Sequence, residues 1–337
     1  MQHKAVPLLI ILIVLTLITM VFGSGVTKGE PISAMFTKGF MAKTNLLNTF
    51  YGIIIQIFMM IGLSCILITG NIDLSIAGQA TLASLIFAKF CFDFPNLPLG
   101  VCLLITYGFA VIFGLLNAFL VNRLHFPAFI ATIGASSIYS GLNSIITQGN
   151  QVQIGRPAFQ AIGKASVAGV FPWMFIAAII ILLIFQFILS NTRFGRSMYM
   201  AGGNPTAARL CGLNPNKMRR IMFLLNSILA VTGGLCWSAQ LKMAHPTSIT
   251  QSTPNMTATS ACILGGVAFS GGSGNLIGPL VAVILLNVFK NMLIILDVND
   301  YINVIAQGAL LLIALIIDAI GEERRRKAMI AAAMAAE

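Results

Sequence analysis

Long apolar runs recur from one end of the chain to the other, and they leave few architectures open. They cover residues 6–22, 46–69, 74–92, 97–121, 126–147, 171–189, 218–240, 256–269, 277–296 and 302–320. A hydrocarbon layer of about 30 Å needs about 20 apolar residues of helix to cross it, and lipid admits only backbones whose polar groups are satisfied internally. The expected fold is therefore all-α, a polytopic membrane helical bundle of about ten transmembrane helices. With 58% hydrophobic and only 9% charged residues, the chain has far more apolar surface than a soluble globule could cover. The run at 74–92 is diluted by Gly78, Gln79, Thr81 and Ser84, and the run at 256–269 is short and rich in Thr, Ser and Gly. Broken or re-entrant segments are accordingly expected near 70–84 and 256–276, and a count of eight or nine full spans stays open. The first run follows His3 and Lys4, but no small-residue cleavage site succeeds it, so it reads as a helix rather than a signal peptide.

The cations orient this bundle. One side receives Lys4, Arg123, Arg193, Arg196, Arg209, Lys217, Arg219, Arg220, Arg324, Arg325, Arg326 and Lys327, and the other Lys28, Lys38, Lys43, Arg156, Lys164 and Lys242. The roughly two-to-one bias makes the first side, with both termini, cytoplasmic. The net charge of +11 is thus mainly a topology signal. Nucleic-acid binding would need the bases gathered with aromatics in one groove, whereas they are distributed among loop ends. Two longer loops, 23–45 and 148–170, fall outside and offer either a surface for an external partner or a simple connection.

The longest polar stretch, NTRFGRSMYMAGGNPTAARLCGLNPNKMRR at 191–220, lies on the cytoplasmic side. Asn204 suits an N-cap, Pro205 the first helical position, and Gly212 a left-handed stop, with about two turns between them. So short a helix is marginal alone and needs something to pack on. Arg193, Arg196, Arg219 and Arg220 read more simply, as helix ends meeting lipid head groups.

Acidic residues are few, and Asp73, in TGNIDLSIAG, is set closest between two spans. A carboxylate near the bilayer needs water, a cation or hydrogen-bond donors. The first reading is an unwound segment in which Asp73 caps the following helix, accepting the N–H groups of Ser75 and Ile76. Contact with a cargo comes second, and a proton relay third, because no intramembrane acid or His stands ready as its partner. The stretch 257–279 carries Gly265, Gly266, Gly271, Gly272, Gly274 and Gly278 with interspersed hydroxyls, and suits tight helix packing or a polar path. FPAFIATIGASSIYSGLN at 126–143 has a similar texture. The six cysteines form no CxxC pair and lie near no His at ligand spacing, so they read as small packing residues and no metal site is expected.

Together, GNIDLSIAG at 70–78, FPAFIATIGA at 126–135, the 191–217 segment and GGVAFSGGSGNLIGP at 265–279 resemble the permease subunits of ribose/galactose-type sugar ABC importers. The likeness runs in order from the second span to the last. It implies one transmembrane permease domain over 1–337 in a bacterial inner membrane, working with a second permease chain, two cytoplasmic ATPase subunits and an external solute-binding protein. It also implies that 202–212 is the helix docking on the ATPase, with Gly202, Gly203, Asn204, Pro205, Ala207, Ala208, Arg209 and Gly212 as coupling residues. In that reading Ala207 and Ala208 permit close approach and Arg209 meets acidic or carbonyl groups. Candidate path residues are Asn71, Asp73, Ser75, Thr132, Ser136, Asn143, Thr259 and Ser260. Their neutral character suits a sugar, polyol or nucleoside and argues against a strongly charged cargo.

Relatives often carry Glu-Leu-Asp before the Gly-rich segment, where this chain has Asn255, Met256 and Thr257, and GNIDLSIAG alters the more usual GGIDLSVG. These departures leave the cargo and the identity of the second permease open. The chain is not expected to be an enzyme: it has no G-x-x-x-x-G-K-[ST] loop, so ATP would be bound by the partner subunit, and no cofactor is expected. A proton-coupled carrier using Asp73 would need further ionisable groups within the spans. An intramembrane hydrolase would pair Ser137 or Ser270 with a His, but His125 falls at the cytoplasmic boundary and His245 in an external loop.

Overall fold

The computed structural model describes residues 5–23, 31, 39–299 and single positions between 302 and 323. Among them are eight helices long and apolar enough to cross a membrane. They are α1 (Ala5–Gly23), α2 (Lys43–Ile68), α3 (Ile76–Asp93), α4 (Leu99–Asn122), α5 (Ala128–Thr147), α7 (Trp173–Asn191), α10 (Pro215–Leu241) and α13 (Ile277–Ile295). Shorter helices lie between them: α6 (Pro157–Lys164), α8 (Arg193–Gly203), α9 (Pro205–Leu210), α11 (Ser248–Gln251) and α12 (Pro254–Leu264). Strand is confined to two-residue ladders, in which β1 (Val152–Gln153) pairs with β4 (Met243–Ala244) and β2 (Ser166–Val167) with β3 (Phe171–Pro172). The fold is an all-α polytopic membrane bundle.

One of the ten expected spans takes a different form. The run at 256–269 is not a full helix: α12 is 11 residues long and gives way at Gly265 to irregular backbone that lasts until Ile277. Gly266, Gly271, Gly272 and Gly274 hold positive φ there, which ends the helix. The run at 302–320 lies largely outside the described residues. The break expected near 70–84 is shorter than anticipated. It occupies 69–75, after which α3 is regular, because Gly78, Gln79, Thr81 and Ser84 turn into the protein rather than interrupting the helix.

The core is organised around α2, which is apolar on every side and nearly wholly enclosed. It packs on α7, α10, α12 and α13, while α10 also carries α3 and α4. Lipid tails are as apolar as leucine, so close backbone approach is the main source of attraction between such helices. Glycines provide it at the crossings: Gly62 meets Asn226, Gly114 meets Leu224, and Gly234 meets the Ala80 carbonyl.

Contacts show which helix ends share a side. At one end, the C-terminus of α2, the break at 69–75, α8, α9 and the Gly-rich 265–276 loop gather together. Gly272 N–H donates to Ile68 O at 2.8 Å, and Tyr199 Oη–H donates to Gly274 O at 2.7 Å. At the other end, the start of α2 meets the end of α13 through Asn45 and Asn291. There too Tyr51 donates to Gly163 O at 2.7 Å, and Arg156 Nη2 donates to Phe94 O and Leu97 O at 2.8 and 3.0 Å. The loop 148–170 is therefore an ordered cap over the second end, which on the charge argument faces outward.

Candidate functional site

Three regions combine polar chemistry with deliberate geometry: a short helix on the basic end, a buried carboxylate beside it, and a polar cavity toward the outer end.

The short helix is built by local capping. Asn204 accepts the Ala207 N–H through Oδ1 at 2.9 Å, and Pro205 occupies the first turn. At the other end Gly212, at φ 77°, donates to Arg209 O at 3.0 Å while Leu213 N–H donates to Ala208 O at 2.9 Å, the paired closure of a Schellman motif. These features match the sequence expectation, with the helix ending at Leu210 rather than one residue later. The face it presents does not match. Ala208 is fully buried against its own chain, so it cannot be a contact for a partner, whereas Ala207 and Arg209 are exposed. Leu210, which the sequence reading passed over, is 85% exposed. Gly202 is also committed inward, since a Cβ there would collide with the Ile68 carbonyl, whereas Gly203 is exposed and touches Gly272 on one side. Burial raises the Tyr199 phenol above its ordinary value, in keeping with its bond to the Gly-rich loop. Cys211, at the tip, is exposed and Cys236 half-buried, unlike Cys65, Cys91, Cys102 and Cys262, which pack inside as expected.

A few residues inward, Asp73 is completely buried. Its Oδ1 accepts Ser75 N–H at 2.9 Å and Ser75 Oγ–H at 2.6 Å, and its Oδ2 accepts amide donors from Asn226 at 3.0 Å and Asn117 at 3.2 Å. Gln79 and Asn117 in turn donate to Ser75 Oγ, at 2.7 and 2.8 Å. Burial opposes the charged form, and four donors favour it. Of the two expected capping bonds only that from Ser75 forms. Asp73 is instead the node that ties the break to α4 through Asn117 and to α10 through Asn226. Thr132 of α5 joins the same region by accepting Leu74 N–H at 3.2 Å.

The remaining path candidates scatter. Asn71 turns back to Thr69 O at 3.1 Å, and Ser136 packs beside Gly78. Asn143 is fully buried and its amide has no hydrogen-bond partner among the described residues. Thr259 and Ser260 donate to Asn255 O and Met256 O, each at 2.7 Å, within their own helix. Only Ser260 reaches the third region.

That region is a pair of adjoining cavities, about 190 and about 230 Å³, between α2, α12 and α13. They share Gln56, Asn287 and Lys290. The two amides hold one another, Gln56 Nε2 donating to Asn287 Oδ1 at 3.3 Å and Asn287 Nδ2 to Gln56 Oε1 at 2.5 Å. Asn45 and Asn291 repeat the pairing farther out, about three turns along α2 and about one along α13, at 3.0 and 2.8 Å. Lone amides inside long apolar runs gave no local signal, so the sequence reading did not assemble this cavity.

Comparison with known proteins places this architecture. The profile of the family described as "Branched-chain amino acid transport system / permease component" matches residues 45–315. The chain belongs to that family. It is 29% identical to the ribose import permease protein RbsC of Escherichia coli (strain K12) over 291 residues, covering 85% of this chain and 89% of the relative. It is 27% identical to the galactose/methyl galactoside import permease protein MglC of the same strain over 303 residues, covering 85% and 90%. It is 29% identical to the autoinducer 2 import system permease protein LsrC of Photorhabdus luminescens over 266 residues, covering 78% of each chain. No solved structure matches. The chain is therefore a multi-pass membrane transport component, and its matched permease segment spans all the long helices except α1.

Proposed function

We propose that the chain is the permease subunit of an ATP-driven importer for a sugar or related polyhydroxylated solute in a bacterial inner membrane. An external solute-binding protein would deliver the cargo to the outer end, a second permease chain would complete the path, and two cytoplasmic ATPase subunits would supply the energy. The observation that carries this reading is α9: a doubly capped helix at the basic end whose exposed apex is a leucine. In a polar loop, a large apolar side chain left 85% in water fits a partner that will cover it. The relatives named for ribose and for galactose import support the cargo class.

The mechanism follows from what α9 is attached to. α8 and Gly202 seat it on the end of α2, and the adjoining break holds Asp73, whose partners reach α4 and α10. Movement of α9 with the ATPases would thus pass to four helices through hydrogen bonds and backbone contact rather than through a flexible loop. The coupling works only if the ATPase state binds one arrangement of those helices better than the other. The amide-lined cavity near the outer end would receive the cargo, because carboxamides can donate to and accept from sugar hydroxyls. Asp73 serves this scheme as a structural node, since its hydrogen-bonding partners do not titrate.

Leu210→Asp tests the reading. The site is exposed, so membrane yield and thermal stability should stay at wild-type levels. Co-purification with the ATPase subunits should fall at least tenfold, and ATP-dependent uptake should be lost. Wild-type uptake by this variant would overturn the proposal that α9 docks the energy source.

A further inference from the structure

Among the described residues that line the outer cavity one is charged, and it is a cation. Lys290 lines both compartments, and among the described residues no acidic side chain lines either. The hydrogen-bonding groups around it are partly uncommitted: Asn48, Thr253 and Thr257 make no side-chain hydrogen bond among the described residues, although they line these same walls. Gln56, only 8% exposed, uses one amide hydrogen on Asn287 and keeps the other. A half-buried ammonium with neutral donors and acceptors around it is an arrangement for a ligand that supplies the missing negative charge.

The surroundings reinforce it. Lys43, Arg156, Lys164 and Lys242 all sit at the outer end. Packing of Gly163 against the Ala239 backbone brings the last two together, and the hydrogen bond and charge of Lys164 hold the Lys242 ammonium below its ordinary value. The described acids at this end are Asp93, already paired with Lys89 at 3.2 Å, and Asp297, just past the end of α13. Although this end carries fewer cations than the cytoplasmic one, among the described residues cations outnumber acids here, and their field raises the local concentration of anions at the cavity mouth.

We propose that this cavity takes a polyhydroxylated molecule bearing one anionic group, a sugar acid or a sugar phosphate, with the anion on Lys290 and hydroxyls on Asn48, Gln56 and Thr257. The proposal rests on the sugar-importer reading and narrows its cargo. It also qualifies the expectation, drawn from neutral Ser, Thr and Asn residues, that the cargo is not strongly charged. The competing role for Lys290 is simpler: a long side chain near a helix end that extends its amine to the membrane surface.

The test uses the complete importer, this chain with its partner subunits, reconstituted in vesicles. ATP-dependent uptake is measured for ribose, galactose, gluconate, galacturonate and glucose 6-phosphate, in wild type and in Lys290→Gln and Lys290→Arg. The expected result is saturable uptake of an anionic sugar, with the carboxylates and the phosphate distinguishing the two sources of charge. Lys290→Gln should raise its half-saturating concentration at least tenfold, the loss of one charge-assisted hydrogen bond, and Lys290→Arg should stay within threefold. Uptake of ribose or galactose alone, changed less than twofold by Lys290→Gln, overturns the proposal and leaves the sugar-importer reading standing. ATP-dependent uptake of none of the five overturns both.

Discussion

Replacing Asp73 by Asn removes a charge while keeping nearly the same shape, which makes it a sharp probe of the buried node. The carboxylate accepts two donors on each oxygen: Ser75 N–H and Oγ–H on Oδ1, and the amides of Asn117 and Asn226 on Oδ2. An asparagine has only one oxygen. If its NH₂ replaces Oδ2, it faces the amides of Asn117 and Asn226, and if it is flipped, it faces Ser75. In either orientation two accepted bonds are lost and donors are opposed to donors. Hydrogen bonds to charged groups contribute about 1.5–3 kcal/mol each, so losing two costs about 3–6 kcal/mol. Rotation of Ser75 Oγ–H recovers part of that in the flipped orientation, setting the lower value as the better guide. On the usual conversion for large domains, about 3 kcal/mol lowers a melting temperature by roughly 6–12 °C. The assay is thermal unfolding of the detergent-purified protein, followed by size-exclusion chromatography and paired with uptake measurements. The expected result is a large fall in melting temperature together with loss of uptake at every external pH. A variant with wild-type melting temperature that has lost only pH-dependent uptake would refute the reasoning and restore Asp73 as a titrating group.

Gly202→Ala should lower stability and coupling together, because the new methyl would meet the Ile68 carbonyl and overpacking against backbone costs about 1–3 kcal/mol; a melting curve and uptake assay would show both effects or refute the contact. Ala208→Trp should fail by disrupting α9 itself: the buried alanine has no room for an indole, so protease sensitivity of the 204–213 segment should rise even without ATPase. Ala207→Trp, at an exposed position, should leave that sensitivity unchanged while weakening ATPase association.

Much of the fold was legible because membrane physics simplifies the code. Eight of the ten apolar runs correspond to long helices, since a lipid-embedded backbone has few alternatives. The α9 helix was legible for a different reason: Asn204, Pro205 and Gly212 act through neighbours within a few positions, so their roles can be read locally. The orientation of α9 could not be read in this way. Whether Ala208 or Leu210 faces inward depends on how α9 folds back against α8 and α10, which the capping residues do not fix. Asp73 was conspicuous as a rare acid, but Asn117 and Asn226, separated from it by 44 and 153 positions, were single amides within apolar runs. The same holds for Gln56 and Asn287. The break expected near 256–276 is present, but its start was not legible: hydropathy averages over a window and cannot distinguish a short helix followed by glycine-rich backbone from one continuous helix.

The enclosure of α2 has a consequence for how the protein is made. This helix leaves the ribosome early, while α10, α12 and α13, which will cover it, are still unsynthesised. It must therefore wait in lipid, and its all-round apolar surface lets it do so without penalty. Gln56 is the exception: its amide partner, Asn287, arrives 231 residues later. Until then the amide must find water, lipid carbonyls or a temporary protein partner, so the last stage of assembly is the moment when the centre of the bundle trades those interim contacts for its own.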